Sequence, residues 1–203
     1  MTILVPPAAF VPGSFRLRLV GNTQSGGRSP FDGTEQRLEL PGARWAATLS
    51  WEGLTQAESR PLLAFLAQLR GRAGRFRWWP PLPRRATGTA SNCQVDGANQ
   101  LGASISLKGF AAGQAFLAGD LFGFADPAGR LALHMATADV TAGANGLVAV
   151  PLTPPIRRSP NNNAAVTLAQ PEAIWALATD DAGLDIASAL IAGGSIDIEE
   201  VLV

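Results

Sequence analysis

Apolar positions along this chain come in short runs that alternate with polar ones and are broken repeatedly by glycine and proline. That punctuation predicts short strands and turns rather than a helical bundle. Phe15-Arg16-Leu17-Arg18-Leu19 alternates with period two and predicts a strand with one buried face. Leu38-Glu39-Leu40 repeats the pattern and Pro41-Gly42 supplies a turn. Trp45, Ala47, Leu49 and Trp51 then share one face of the next strand, so Arg37–Trp51 is predicted to be a hairpin. The polar, glycine-rich stretch Gly21–Gly33 is expected to be a mobile loop.

One helix is expected, from about Ser59 to Arg70, where Leu62, Leu63, Phe65, Leu66 and Leu69 form a stripe at helical spacing. Thr55 and Glu58 have capping-box spacing, but that start would leave Pro61 in the helix interior without its N–H. A start at Glu58 or Ser59 keeps Pro61 in the first turn and is preferred; Gly71 then ends the helix. Phe76-Arg77-Trp78-Trp79 is a strand stopped by Pro80-Pro81. Beyond Arg85 arginine becomes scarce, which marks a domain boundary. Ile105–Leu107, Leu121–Phe124, Leu131–Met135 and Leu147–Leu152 follow as short strands, as in a small barrel. Pro154–Ala164 is expected to be a loop. Val166–Leu168 and Ile174–Ala178 are further strands, Ala182–Gly194 is ambiguous, and Ser195–Glu199 is a closing strand.

The expected fold is therefore mainly β with one flanking α-helix: a β-sandwich-like first domain and a small, OB-like β-barrel. Residues 1–85 and about 171–203 form the first, with helix 59–70, and residues 86–170 form the barrel.

Composition narrows the chemistry. The 203 residues can bury a core without staples. A single cysteine, Cys93, excludes an internal disulfide, and a single histidine, His134, argues against a Cys/His zinc site. No apolar window has the length of a membrane span, and Met1–Ser14 lacks the basic start of a signal peptide, so no membrane anchor is expected. His134 lies in a strand-like run and reads as structural. Cys93 has nothing beside it to activate its thiol. No nucleophile elbow and no phosphate-binding loop occurs. Asp180-Asp181, Asp185, Asp197 and Glu199-Glu200 read as a solvated acidic surface rather than a calcium site. No catalytic residue, metal or cofactor is expected, and the chain is not expected to be an enzyme.

The formal net charge is zero, yet residues 1–85 carry twelve arginines against five acids, while residues 86–203 carry four cations against eleven acids. Oppositely charged halves suit packing between copies of one chain; pairing inside one chain is the alternative. Arg70, Arg72, Arg75 and Arg77 lead into Trp78 and Trp79. This segment has the composition of a nucleic-acid grip, but the single lysine and neutral total favour a core or a protein interface. Arg70, Arg72, Arg75, Arg77, Trp78, Trp79, Arg84, Arg85, Arg157 and Arg158 are the candidate interface residues.

The order of the segments resembles the distal tail proteins of phages with long non-contractile tails and of gene transfer agents. Ser29-Pro30-Phe31-Asp32-Gly33-Thr34-Glu35-Gln36 with Gly42-Ala43-Arg44-Trp45 resembles their opening. The helix Phe65–Arg72 running into Phe76-Arg77-Trp78 is the strongest part of the likeness. Val95–Ala98, Ala118–Phe122 and Leu152–Arg158 are similar to the second domain, and Pro171–Trp175 to the return into the first. The resemblance implies a hexameric ring between the tail tube and the tip, at the tail tip of the virion. It implies tube and hub proteins as partners and DNA only as a passenger through the channel. No carbohydrate-binding signature accompanies it. A nucleic-acid-binding module and a carbohydrate-binding or hydrolytic tail component remain the alternative functions.

Overall fold

The computed structural model describes residues 2–83, 92–186 and 192–201. The chain opens with β1 (Ile3–Leu4), β2 (Ser14–Val20), β3 (Thr23–Arg28), β4 (Glu35–Glu39) and β5 (Arg44–Leu54). Helix α1 (Gln56–Leu69), a 3-10 turn at Gly71–Ala73 and β6 (Arg75–Trp78) follow. Eight strands come next: β7 (Gln94–Val95), β8 (Gly102–Lys108), β9 (Ala115–Phe116), β10 (Leu121–Ala125), β11 (Leu131–Ala136), β12 (Val140–Thr141), β13 (Val148–Ile156) and β14 (Val166–Thr167). The chain finishes with β15 (Ala173–Leu177), β16 (Asp185–Ile186) and β17 (Ala192–Glu200). The protein is mainly β with one helix and a small barrel.

One sheet runs β1-β6-β15-β17-β5-β2, with β16 added beside β17. It therefore joins the first part of the chain to the last. The layer against it is helix α1 and the Phe10 loop. Leu62, Phe65, Leu66 and Leu69 of the helix meet Trp51, Phe76 and Trp175 of the sheet in one apolar cluster. Edge-to-face rings organise it: Phe10 sits 5.4 Å from Trp51 and from Phe76 and 5.3 Å from Phe65, an arrangement in which positive ring edges meet negative faces. Gly74 makes the turn from helix to β6 possible, because a Cβ there would lie 2.3 Å from the Leu69 carbonyl oxygen.

The second sheet runs β14-β10-β11-β13-β8-β7. A bridge between Gln94 and Ala165, with Val166 N–H donating to Cys93 O at 2.9 Å, brings its two ends together and nearly closes a six-stranded barrel. Phe110, Phe116, Phe122 and Phe124 fill its interior with Ile105, Leu107 and Val150. All five tryptophans belong to the other unit.

Four local expectations are corrected. Arg37–Trp51 is not a hairpin: β5 pairs with β2 on one side and β17 on the other, leaving it no free edge for β4. β4 pairs instead with β3, so Gly21–Gly33 contains a strand rather than only a loop. Every residue of β3 and β4 is exposed, and a strand polar on both faces leaves no period-two signature. The helix begins at Gln56, not at Glu58 or Ser59. The Glu58 carboxylate accepts from Thr55 N–H at 2.9 Å and Thr55 Oγ1 at 2.7 Å, closing the capping box. Pro61 is tolerated inside, since the carbonyl it fails to meet belongs to exposed Ala57 and is not sealed in the core. Finally, β13 runs through Pro154-Pro155 to Ile156, with a register shift between Pro151 and Ile156 that accommodates the missing donors. Within the ambiguous stretch, residues 187–191 lie outside the described residues.

Leu62 is fully buried on α1 while its neighbour Leu63 is 38% exposed. Leu62→Ala is expected to lower unfolding free energy by about 2–5 kcal/mol, and Leu63→Ala by about 1 kcal/mol or less. Urea denaturation of the two variants checks this; equal losses would show that the stripe is not the packed face.

Candidate functional site

Two features offer chemistry or contact beyond the packed cores. The first is the arm. β3 and β4 form a two-stranded hairpin between β2 and β5, rooted where Leu40 N–H donates to Asn22 O at 2.7 Å and Asn22 Nδ2 to Pro41 O at 2.9 Å. Its tip is an ordered turn. Asp32 Oδ1 accepts from Thr34 N–H at 3.1 Å and Thr34 Oγ1 at 2.8 Å, and Arg28 Nε donates to Gly33 O at 2.9 Å. Gly33 takes the left-handed φ of +71° that this turn needs. Hydrogen bonds from Ser29 and Thr34 hold the Asp32 carboxyl at a pKa of about 2. Phe31 stands at the tip, 98% exposed, and Leu38 is exposed farther back.

The second feature is the seam between sheet and barrel. Ile196, Ile198 and Glu200 alternate along β17 toward the core, so Glu200 is carried into the interior and is 4% exposed. Its Oε2 accepts from Trp45 N–H at 3.1 Å and its Oε1 from Leu133 N–H at 3.4 Å. Trp45 Nε1 donates to Leu133 O at 3.0 Å. Burial pushes the Glu200 carboxyl above its ordinary pKa, against the two N–H groups and the Arg157 charge. The solvated acidic surface expected here is thus corrected for Glu200; the period-two pattern of Ile196, Ile198 and Glu200 is the signal that marks it.

Beside Glu200 lies a cavity of about 180 Å³, walled by Phe124, Ile156 and Ile174, with Arg157 and Arg158 among its lining residues. His134 lines it too, 3% exposed and stacked on Phe124 with ring centroids 4.8 Å apart. His134 Nδ1 lies 2.7 Å from Pro154 O, and Nε2 is buried with no hydrogen-bond partner among the described residues. A carbonyl can only accept, so Nδ1 carries the proton and Nε2 is a bare acceptor. Burial lowers the His134 pKa to about 4, with Arg157 adding to the effect and the Pro154 bond opposing it. Arg157 is itself held below its ordinary value by partial burial and by Arg158, while Glu200 pulls the other way.

The candidate interface residues separate. Trp78, expected at an interface or core, is 6% exposed and in the core, 5.3 Å from Trp175, whose Nε1 donates to Trp78 O at 2.9 Å. Trp79 is half-buried, and Arg70 is exposed at the helix end. Arg72 and Arg75 line a shallow groove with Asp180 and Glu199. Arg77 lies 3.9 Å from Glu172. Arg157 and Arg158 sit at the cavity, and Arg84 and Arg85 lie outside the described residues. The arginine segment therefore does not present a platform of two stacked tryptophans.

The charge division is corrected as well. Arg18 pairs with Asp197 at 3.7 Å and Arg44 with Glu199 at 2.9 Å, both joining the basic half of the chain to the acidic half. Residues 92–170 hold four cations and four acids, and the rest of the chain holds twelve of each. The barrel residues 92–170 are thus neutral. Among the described residues no three His, Cys, Asp and Glu side chains are grouped to hold a metal ion, and no helix is long and apolar enough to cross a membrane.

Compared with known proteins, the chain matches no family model and no curated protein.

Since the folded His134 pKa lies below the unfolded 6.5, its contribution to stability is complete above pH 6.5 and is lost as pH falls toward 4. Over that window only the unfolded chain takes up the proton, which costs about 3 kcal/mol. Glu200, whose pKa is raised, acts in the opposite sense, losing stability as pH rises from 4.5. The difference between wild type and His134→Asn, which keeps a donor to Pro154 O, isolates the histidine. Denaturant titrations at pH 7 and pH 4.5 are expected to show the wild type losing its lead over the variant; a constant difference would place a solvated histidine at 134.

Proposed function

We propose that this chain is a structural ring subunit of a phage tail tip, joining the tail tube to the hub complex and leaving a channel through which DNA passes. The observation that carries the reading is the arm. A two-stranded hairpin with both faces in water is marginally stable by itself, yet this one keeps an ordered tip and displays Phe31 at its end. Such a structure has a purpose when another subunit covers it, and a ring of identical chains supplies that partner through a head-to-tail contact. The order of elements agrees with the resemblance: a β unit with one helix, a small barrel, then a return into the first sheet. The pairing of Arg18, Arg44 and Arg77 within the chain shifts the association energy away from charge and toward apolar contact. Self-association and binding to tube and hub proteins follow from this reading, as does a place at the tail tip of the virion.

Phe31→Ser tests it. Burying a phenylalanine at an interface is worth about 1.5–3 kcal/mol, so ring formation should weaken by about ten- to a hundredfold, with thermal unfolding of the single subunit unchanged. Native mass spectrometry of wild type and variant, alone and with tube and hub proteins, reads both quantities. A wild-type chain that stays monomeric in every mixture, or a variant that assembles as well as wild type, refutes the reading.

A further inference from the structure

The arm tip and the seam cavity are complementary in chemistry. Phe31 is 98% exposed, so its ring stays in water. Asp32 follows it, with no ion-pair partner among the described residues, and hydrogen bonds from Ser29 and Thr34 keep it ionised. Over the whole arm, residues 23–39, three carboxylates stand against two arginines, and Arg37 is already engaged by Glu35 at 2.8 Å. The tip therefore offers an apolar ring and then an unpaired negative charge, on a turn whose shape is set in advance.

The cavity offers the converse. Half-buried Leu131, Pro155 and Val201 give its lining apolar surface that a visiting group can touch, and exposed Arg157 and Arg158 line it with them. Asp126 and Arg130 close on each other at 2.6 Å and cancel. The carboxylate of Glu200 balances one of the two remaining cations, and Arg157 is the one whose charge it favours. Arg158 is left without an ion-pair partner among the described residues. The cavity is open to solvent and measures about 180 Å³, which is room for a phenyl ring, since a cavity of about 150 Å³ holds benzene.

We propose that the arm tip of one copy of this chain docks in the seam cavity of the next copy, with Phe31 against Leu131 and Pro155 and with Asp32 facing Arg158. The two surfaces belong to one chain and differ from each other, so the contact is head-to-tail, the kind that passes from copy to copy and can close a ring. Apolar burial supplies most of the attraction, and the single charge pair decides which way round the tip seats. The inference rests on the ring reading, which requires a cover for the arm, and it names the surface that provides one.

Phe31→p-benzoylphenylalanine in the full chain, irradiated alone and with tube and hub proteins, locates the contact. Mixing nitrogen-15-labelled and unlabelled chains separates crosslinks between copies from those within one. The expected products join residue 31 of one copy to Leu131, Pro155 or Val201 of another. A double-mutant cycle read by native mass spectrometry tests the charge pair. Asp32→Asn keeps an acceptor for Thr34, and Arg158→Gln changes an exposed side chain, so neither should move the thermal midpoint. Each should weaken association about threefold, and the double variant no more than either alone. The proposal is overturned if residue 31 of an assembled chain crosslinks to another surface of its neighbour, to a tube or hub protein, or to no second copy, and equally if the losses of the two variants multiply. Those outcomes leave the ring reading standing, whereas a wild-type chain that never associates overturns both.

Discussion

A carboxylate withdrawn from water is stable only where donors occupy its oxygens, and Glu200 meets that condition by drawing on two different strands. One oxygen takes the N–H of Trp45 from β5 of the sheet, and the other takes the N–H of Leu133 from the barrel. The Trp45 indole then returns a hydrogen bond to the Leu133 carbonyl. These three residues fix where the barrel stands on the sheet. Leu121 and Leu133 of the barrel join the larger apolar cluster at this seam. The cavity, with Arg157 and His134 in its lining, is the space left beside the same carboxylate. One acid near the end of β17 thus bonds to the sheet and to the barrel at once.

The arm follows a different logic. Among the described residues nothing apolar covers it, and its order comes from local hydrogen bonds: Asp32 with Thr34, Arg28 with Gly33, Ser25 with Glu35 at 2.7 Å. Local bonds of this kind set the shape of a turn but bury no apolar surface. A preformed tip loses less conformational entropy on docking than a floppy loop would. At the seam Glu200 finds donors for both of its oxygens within the chain, whereas the arm keeps an ordered turn with every strand residue exposed.

Legibility in the sequence tracks the presence of a buried face. β2, β5 and the stripe of α1 could be read directly, since Phe15, Leu17, Trp45, Leu49, Leu62 and Phe65 repeat at the period of their element, and β10 and β11 stood out as short apolar runs between turns. β3 could not, and β4 only at its Leu38-Glu39 end, because no side of either strand is buried and residues such as Gln24, Ser25, Gln36 and Arg37 carry no pattern. The start of α1 was obscured by a competition of local effects. The Thr55–Glu58 box outweighs the lost bond at Pro61, because that loss falls on an exposed residue, Ala57. Of the seam, the sequence marked His134 as structural and placed Glu200 in period with Ile196 and Ile198. It gave no sign that Trp45 and Leu133, eighty-eight residues apart, would meet the same carboxylate.

Charge shows the division between the two levels most plainly. Composition alone established that the chain is neutral, lacks the cysteines for an internal disulfide and is built of short β elements with one helix. It also showed a basic first part and an acidic second part, and from order along the chain those look like opposite poles. Tertiary structure removes the poles. β17 is not an edge that closes the fold but a central strand lying between β15 and β5, so Asp197 and Glu199 come to rest beside Arg18 and Arg44. Sequence fixes how many charges there are and which residues alternate in and out. Only the pairing of strands distant along the chain decides which charges become neighbours, because that choice is made by the burial of Ile196, Ile198, Leu49 and Trp175 in one core and not by the charges themselves.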